Sequence, residues 1–305
     1  MKKLRFVISL VTQESDYQRE LAEAAQRTAA RLGVDLQILF AENDSITQSQ
    51  QLIRAIQDSS AGINALIAEP AGGTAFPQAA RAAAAAGLGW VVLNRHDSYI
   101  EELRGKYSVP MYSVSVDHEE VGKIHGRQIA ALLPGGGTVL YLQGPSSSSV
   151  SQLRVTGINE SKPKNIQLKS LKSADWTEKG GQRAVTSWLQ LSTSRDCDIQ
   201  GVIAQNDFIA LGAQKAFQEI AATAERDKWF RLPFIGADGL KIGQAAVHRG
   251  LFAATVVLPP TTGLAIEMMV RALREGFHPP AKTLIDPTSL PEVRNLTPRS
   301  SKAPV

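Results

Sequence analysis

The stretch "VIAQNDFIALGAQKAF" (residues 202–217) joins a run of apolar β-formers to an Ala- and Leu-rich helical pattern. Asn206 and Asp207 lie where the strand ends and the helix begins. Such side chains accept hydrogen bonds from the free amides of a first helical turn, so the pair is a candidate helix cap. In an open parallel α/β sheet, ligands bind beyond the carboxyl ends of the strands, so the pair is also a candidate ligand contact. This segment alone leaves both interpretations open.

The same alternation of a short apolar run with a longer helical pattern recurs along the chain, and it is typical of βαβ units around a mostly parallel sheet. The predicted strands are "LRFVISLV", "DLQILFA", "ALIAE", "WVVLN", "YSVSVD", "TVLYLQG", "IQLKSLKS", "GVIAQ", "PFIGAD" and "FAATVVL". Helices are predicted over residues 17–32, 47–59, 74–86, 118–133, 150–160, 178–192, 207–223, 240–249 and 260–276. The predicted fold class is therefore α/β.

These units divide into two comparable sets, which predicts two similar lobes. We expect residues 1–116 with 259–285 to form the N-terminal lobe, and residues 117–258 with 286–305 to form the C-terminal lobe. A chain of 305 residues with 43% hydrophobic content exceeds the size at which one core usually stops growing. Repeated passage of the chain between lobes favours a clamshell with a ligand-binding cleft.

Composition excludes several classes of partner. The net charge is +4 and the basic residues are scattered, so we expect no nucleic-acid partner. No run approaches the roughly 20 apolar residues of a membrane-spanning helix, so no direct membrane insertion is expected. The start, "MKKLRFVISLVTQ", imitates a signal peptide but is β-rich, and we interpret it as the first strand. The single cysteine, Cys197, excludes an internal disulfide.

Catalysis is not expected, because the motifs of common α/β enzymes are missing from the sequence. There is no G-x-G-x-x-G after a strand, no G-x-x-x-x-G-K-[ST] and no G-x-S-x-G. The histidines show no metal-ligand spacing, and we expect them at the surface. They are His96, His118, His125, His248 and His278. We predict no catalytic residue, no metal and no cofactor.

Polar or aromatic side chains follow nearly every predicted strand. Each one alone fits a cap, a turn, a surface charge or a core aromatic as well as a ligand contact. Together they supply flat rings that stack on sugars and planar groups that bind hydroxyls. The acids Glu69 and Asp238 balance Arg95 and Arg154, which favours an uncharged polyol over a phosphate. Binding of an anion at Ser146–Ser149 stays open as an alternative to a flexible helix cap.

Several segments, in the same order along the chain, resemble the periplasmic sugar-binding proteins of ABC transporters, in their ribose/galactose type I group. They are "RELAEAAQRTAARLGVDLQILFAENDSITQSQQLIRAI", "NALIAEPAGGTAFPQAARAAAAAGLGWVVLNR", "SVSVDHEEVGKIHGRQIA", "ADWTEKGGQRAV", "GVIAQNDFIALGAQKAF", "IGADG" and "GLFAATVVLPP". The resemblance implies two Rossmann-like lobes joined by three crossover strands, the fold shared with the lactose-repressor effector domain. It also implies that the protein captures a small polar ligand, foremost a monosaccharide, and delivers it to an ABC-type permease.

The resemblance further implies which residues bind the ligand. They are Ser15, Tyr17, Gln18, Glu69, Asn94, Arg95, Arg154, Trp176, Asn206, Asp238 and Leu258. Tyr17 and Trp176 would sandwich the sugar ring, while the charged and amide groups hold hydroxyls. For the opening pair, the resemblance assigns Asn206 to the ligand and leaves Asp207 as the helix cap.

The sequence departs from the family pattern at several of these positions. Asn94 replaces an aspartate, Gln18 an aromatic residue, Leu258 a glutamine, and Ala237 an aromatic residue before Asp238. Glu69 stands where the family has a neutral residue. These changes could move the hydroxyl acceptor to another ring position, or could recruit an amine or other cation. The sugar is therefore left unnamed.

The resemblance implies a periplasmic or lipid-anchored extracytoplasmic monomer. No export signal is visible in the sequence, so a cytoplasmic location stays open. The alternative function is a ligand-sensing subunit that signals to a membrane sensor or regulator by clamshell closure. A DNA-binding repressor is not expected, because the first predicted strand begins at about residue 4 with no helix-turn-helix ahead of it.

Overall fold

The computed structural model of the chain describes residues 3–72, 76–95, 97–173, 175–191, 194, 197–220 and 223–298. Internal contacts divide the chain into two compact units. Unit 1 comprises Met1–Val116 and Pro259–Ile285, and unit 2 comprises Asp117–Leu258 and Asp286–Val305. The chain therefore passes from one unit to the other three times.

Strands and helices alternate along both units. The strands are β1 (Arg5–Leu10), β2 (Asp35–Phe40), β3 (Ala65–Ala68), β4 (Gly89–Leu93), β5 (Met111–Val116), β6 (Gly137–Gln143), β7 (Ile166–Lys172), β8 (Ile199–Ala204), β9 (Phe234–Asp238), β10 (Ala254–Val257), β11 (Lys282–Ile285) and β12 (Thr288–Leu290). The α-helices are α1 (Asp16–Leu32), α2 (Ser45–Gln57), α3 (Phe76–Ala85), α4 (Tyr99–Arg104), α5 (His118–Leu132), α6 (Ser149–Ser161), α7 (Glu178–Leu189), α8 (Asp207–Gln218), α9 (Thr223–Phe230), α10 (Lys241–His248) and α11 (Thr261–Glu275). Two short 3₁₀ turns cover Ser59–Ala61 and Val293–Asn295.

Both units have the same strand order. The sheet of unit 1 runs β2-β1-β3-β4-β5-β11 with all neighbours parallel. The sheet of unit 2 runs β7-β6-β8-β9-β10-β12, in which only β12 is antiparallel to its neighbour. The predicted α/β fold with mostly parallel sheets is confirmed. The strand order reverses between β1 and β3 and between β6 and β8, and ligands of such sheets bind at these switch points.

Central strands with continuous apolar runs form these sheets because helices cover both faces. In β1, Phe6, Ile8 and Leu10 pack on one face with α1 and α11. Val7, which points to the opposite face, packs in a second cluster with Leu52 of α2 and the alanines of α3. Helices thus pack on both faces of the sheet whose carboxyl ends carry the candidate residues.

All ten predicted strands are present, but β11, β12, α4 and α9 were not predicted. The strands β11 ("KTLI") and β12 ("TSL") are partly exposed edge strands without an apolar run. Helix α4 has six residues, too few for a clear helical period. The predicted helix 207–223 was too long, since α8 ends at Gln218 and α9 follows separately. The predicted helix ends at residues 74 and 192 lie outside the described residues.

Within the described ranges, no helix combines the length and the apolar character needed to cross a bilayer.

Candidate functional site

At the switch point of unit 1, four of the predicted ligand-binding residues form one chain of hydrogen bonds. Gln18 of α1 accepts a hydrogen bond from the Val11 amide with Oε1 (2.9 Å) and donates with Nε2 to Glu69 Oε2 (2.7 Å). Asn94 Nδ2 donates to Glu69 Oε1 (3.0 Å) and to the Tyr17 hydroxyl (3.1 Å). The segments that follow β1, β3 and β4 are therefore tied together by side chains.

The backbone around Glu69 is held by Gln48 of α2, a residue that the sequence did not single out. Gln48 Nε2 donates to the Glu69 carbonyl (2.8 Å) and to Ser9 Oγ (3.1 Å), and its Oε1 accepts from the Ala71 amide (2.7 Å). Gln48 is fully buried. Its position on the buried side of α2, near Leu52, was the available signal in the sequence.

Glu69 and Asn94 are in unusual electrostatic and backbone environments. Burial raises the pKa of the Glu69 carboxyl, while hydrogen bonds from Asn94 and Gln18 and the charge of Arg95 oppose the shift. Asn94 has a φ of +57°, in the left-handed region that non-glycine residues seldom adopt. Its Oδ1 is buried without a hydrogen-bond partner among the described residues. Such features cluster at ligand-binding positions.

The other two candidates in unit 1, Ser15 and Arg95, lie in the segments that follow β1 and β4. Arg95 directly follows Asn94 and is partly exposed. Ser15 is the N-cap residue of α1 in an extended conformation, but its side chain makes no capping hydrogen bond. The Ser15 carbonyl instead accepts from the Arg19 amide (3.0 Å).

In unit 2, Arg154 of α6 is a buried cation, with 3% of its surface exposed. Its Nη1 donates to the carbonyl of Gln205, and its Nη2 lies 3.6 Å from Asp238 Oδ1 and 3.4 Å from His118 Nδ1. The guanidinium carbon is 5.7 Å from the centre of the Trp176 ring. Arg154 therefore connects the end of β9 with the segments that follow β7 and β8. Its Nε is buried with no partner among the described residues.

The Trp176 ring lies directly against the backbone of Gly144, which follows β6. A Cβ atom at position 144 would come closer than 3.0 Å to three ring atoms of Trp176, so this contact requires glycine. The ring is partly buried and packs at the edge of the unit 2 core. Trp176 is thus fixed beside Arg154 with part of its surface exposed.

Gln205 organises this half of the site, although the sequence did not single it out. The fully buried side chain accepts from the Gly144 amide (2.9 Å) and donates to Tyr141 Oη (2.8 Å) and to the Ser151 carbonyl (3.0 Å). The Gln205 carbonyl receives Arg154, as described above. One glutamine at the switch point therefore positions both the arginine and the glycine that supports the tryptophan.

The structure gives the helix cap to Asn206 and not to Asp207. Asn206 is the N-cap of α8, because its Oδ1 accepts from the Ile209 amide (2.8 Å), and its Nδ2 donates to the Trp176 carbonyl (2.9 Å). The prediction that Asp207 caps this helix is wrong. Asp207 is fully buried and accepts from Thr255 Oγ1 (2.7 Å) and the Gly239 amide (3.0 Å).

Asp207 supports the turn that carries Asp238. Asp238 is 9% exposed. Its φ of +96° is unusual for a residue other than glycine, so its backbone conformation is strained. Burial raises the pKa of Asp207 well above its usual range, the charge of Asp238 adds to the shift, and the hydrogen bond from Thr255 opposes it. A Cβ atom at Gly236 or Gly243 would collide with the Asp207 carboxyl group, so two glycines make room for it.

The surface location expected for the histidines is wrong for two of them. His118 and His125 lie on the buried side of α5, where His125 Nε2 is 3.1 Å from the Gly236 carbonyl. Burial, and then the charge of Arg154, lower the pKa of His118 well below 6.5. Burial lowers the pKa of His125 to about 3. His248 and His278 are exposed, and His96 lies outside the described residues.

Leu258, which directly follows β10, is 6% exposed and donates a hydrogen bond from its amide to the Asp238 carbonyl (3.1 Å). Its side chain can offer an apolar wall but no hydrogen bond.

Ser148, in the serine run, is the N-cap residue of α6, but its side chain makes no capping hydrogen bond. In the part of the chain that the structure describes, no group of three acidic, histidine or cysteine residues is placed to hold a metal.

The structure thus connects Tyr17, Gln18, Glu69 and Asn94 within unit 1. Within unit 2 it connects Arg154, Trp176, Asn206, Asp238 and, through its backbone, Leu258. Each set combines one aromatic ring with planar hydrogen-bonding groups at the carboxyl ends of a parallel sheet. This is the chemistry of a site for a polar, ring-shaped ligand.

Comparison with known proteins gives concordant results. Residues 6–276 match the family described as periplasmic binding protein domain. The chain is 30% identical over 251 residues to a putative rhizopine-binding protein of Rhizobium meliloti, covering 78% of both chains. It is 27% identical over 259 residues to the ribose import binding protein of Bacillus subtilis, covering 85% of this chain and 77% of that protein.

Solved structures show the same fold. A periplasmic solute-binding protein of an ABC transporter from Actinobacillus succinogenes, with bound D-allose, superposes with a TM-score of 0.82 at 22% identity, covering 96% of this chain and 100% of that one. A solute-binding protein of an ABC transporter from Mycobacterium smegmatis, with bound glycerol, gives a TM-score of 0.79 at 25% identity, covering 100% of both chains.

Proposed function

The chain belongs to the family of periplasmic binding protein domains, and from this premise we propose that it is a solute-binding protein for a monosaccharide or a similar polyol. It captures this ligand and delivers it to an ABC-type permease. The names of the relatives support the ligand class, since they include import binding proteins for ribose and D-apiose and a xylitol-binding protein. The family is one of binding proteins, and we propose that this chain has no catalytic activity.

The observation that carries this proposal is the matching pair of side-chain sets at the two switch points. Each set offers one aromatic ring, Tyr17 or Trp176, and planar groups that donate and accept hydrogen bonds. Sugars present apolar ring faces and a rim of hydroxyls, so they need both kinds of contact. We propose that both sets bind the same ligand molecule and that the two rings contact its faces.

The remaining residues divide between contact and support. Asn94 and Arg95, and Arg154 and Asp238 in unit 2, bind hydroxyls, together with Glu69. Gln18 and Asn206 already use hydrogen bonds to hold Glu69 and Trp176, so they act mainly by positioning these neighbours. Ser15 and Leu258 line the site.

The same proposal covers organisation and location. Units 1 and 2 are the N-terminal and C-terminal lobes, and the protein acts as a monomer outside the cytoplasm, in the periplasm or attached by a lipid. The Arg154–Asp238 ion pair within unit 2 argues against a sugar phosphate, because the positive charge of the arginine is already balanced by the aspartate.

The test is a thermal-shift screen of the whole protein against pentoses, hexoses, cyclitols, sugar phosphates and nucleosides, followed by calorimetric titration of each hit. A ligand that binds only the folded form at 100 times its Kd stabilises it by about 2.7 kcal/mol, so a true ligand raises the melting temperature measurably. A shift with a sugar or cyclitol supports the proposal. Shifts confined to nucleosides or sugar phosphates would contradict it.

A further inference from the structure

The Glu69 carboxylate receives its hydrogen bonds from neutral groups. Its two donors among the described residues are side-chain amides, Gln18 at 2.7 Å and Asn94 at 3.0 Å. Arg95 acts on it only as a nearby charge, the weakest of the four effects on its pKa. Asp238 in unit 2 differs, because the guanidinium of Arg154 lies 3.6 Å away. The acid of unit 1 thus has free capacity to bind a cation.

Asn94 adds an unused acceptor beside this carboxylate. The residue is 5% exposed, and its Nδ2 donates to both Glu69 and Tyr17. The Oδ1 of the same planar amide is buried and has no donor among the described residues. A buried carbonyl without a donor is unfavourable, and the left-handed backbone of Asn94 adds strain. A donor on a bound ligand would satisfy this oxygen.

The two acceptors together favour one kind of ligand group. An ammonium group brings a positive charge and three N–H donors, enough for Glu69, for the Asn94 carbonyl and for one further acceptor. A hydroxyl brings a single donor and no charge. Because the amide hydrogens of Asn94 are already used, this corner of the site can accept more readily than it can donate.

We propose that the ligand is an amino sugar or an aminocyclitol, whose protonated amine binds Glu69 and the Asn94 carbonyl. This inference rests on the proposed function, since it assigns the ligand class of the same site. Burial raises the pKa of Glu69 in the free protein. A bound cation removes the cost of that buried charge. Charge-assisted hydrogen bonds of this type favour the amine over the matching hydroxyl by about ten- to a hundredfold.

The experiment compares matched ligands by calorimetric titration. The pairs are D-glucose with D-glucosamine, D-galactose with D-galactosamine, and myo-inositol with a series of aminodeoxyinositols. Each is titrated into the wild type and into Glu69→Gln, which keeps the shape but not the charge. The control is Glu23→Gln, an exposed acid on α1 of the same unit. Melting temperatures without ligand establish that both variants are folded.

The proposal predicts that one amine binds the wild type at least tenfold more tightly than its hydroxyl parent. The preference should vanish in Glu69→Gln and persist in Glu23→Gln. If the neutral parents bind at least as tightly as every amine, the amine inference is refuted while the proposed function stands. A preference that survives in Glu69→Gln refutes the role of Glu69. If none of these polyols or amines binds, the amine inference is refuted, and the proposed function fails as well only if no pentose, hexose or cyclitol raises the melting temperature in the thermal-shift screen.

Discussion

Replacing Gly144 by alanine tests whether the backbone under Trp176 sets the position of the ring. The added Cβ would lie 2.6 Å from Trp176 Cζ2 and closer than 3.0 Å to two further ring atoms. Carbon atoms in contact are normally about 3.5–4.0 Å apart, so the ring must move by roughly 1 Å. Asn206 holds the Trp176 carbonyl, so the movement has to come mainly from the side chain.

We expect Gly144→Ala to lower the free energy of unfolding by about 1–3 kcal/mol, the usual cost of overpacking. A displaced ring also loses its contact with Arg154 and the contact proposed for the ligand. Such contacts are worth about 1 kcal/mol or more, so we expect affinity to fall about five- to tenfold. The assays are urea unfolding and calorimetric titration with a ligand found in the thermal-shift screen.

The matched control is Gly135→Ala in the same unit, because an added Cβ there meets no atom within 4 Å. This variant should have wild-type stability and affinity. If Gly144→Ala also unfolds and binds like the wild type, the reasoning about Trp176 is refuted. Tryptophan fluorescence on ligand addition reports separately whether the ring environment has changed.

Three further substitutions test buried residues of unit 2 that hold the candidate site in place. Burial raises the pKa of folded Asp207 above its ordinary value of 3.8, so the stability that this group contributes is fully present below about pH 3.8 and is lost as the pH rises. In urea unfolding, the wild type should therefore lose stability relative to Asp207→Asn as the pH rises. A difference between the two proteins that stays constant with pH would contradict this. Burial lowers the pKa of His125 from 6.5 to about 3, so the free energy of unfolding of the wild type should fall by about 2 kcal/mol between pH 6.5 and pH 5. This loss should be absent from His125→Gln and present in the control His278→Gln, which changes an exposed histidine. Asn206→Ala removes a helix cap and should lower the free energy of unfolding, measured with urea, by about 1 kcal/mol. It also removes the hydrogen bond to the Trp176 carbonyl, so we expect the ring to be held less firmly and ligand affinity to fall. Unchanged affinity would show that Asn206 acts only as a helix cap.

The fold was predictable from the sequence because its signal is strong and repeated. Continuous apolar runs such as "ALIA" in β3 are buried throughout, and each is separated from the next by a helical pattern. The edge strands β11 and β12 were not predictable, since their pairing with β5 and β10 comes from the tertiary fold and not from an apolar run of their own.

The sequence predicted a set of strand-end residues, several of which contact one another in the structure, but it did not predict their hydrogen bonds. Polar residues at strand ends indicated the location, yet Asn and Asp are both good caps, so the sequence could not tell which of Asn206 and Asp207 turns toward the helix amides. The burial of His118 and His125 had a signal, because both share a face of α5 with Val121 and Ile129. The support of Trp176 by Gly144 depends on residues distant in sequence and had none.

The most direct test of the account is the stoichiometry and residue dependence of ligand binding. Calorimetric titration should give one site per chain, and both Arg95→Ala in unit 1 and Trp176→Ala in unit 2 should weaken binding of the same ligand at least tenfold. Two independent sites, or full affinity after loss of either side chain, would contradict the claim that both units bind one small molecule.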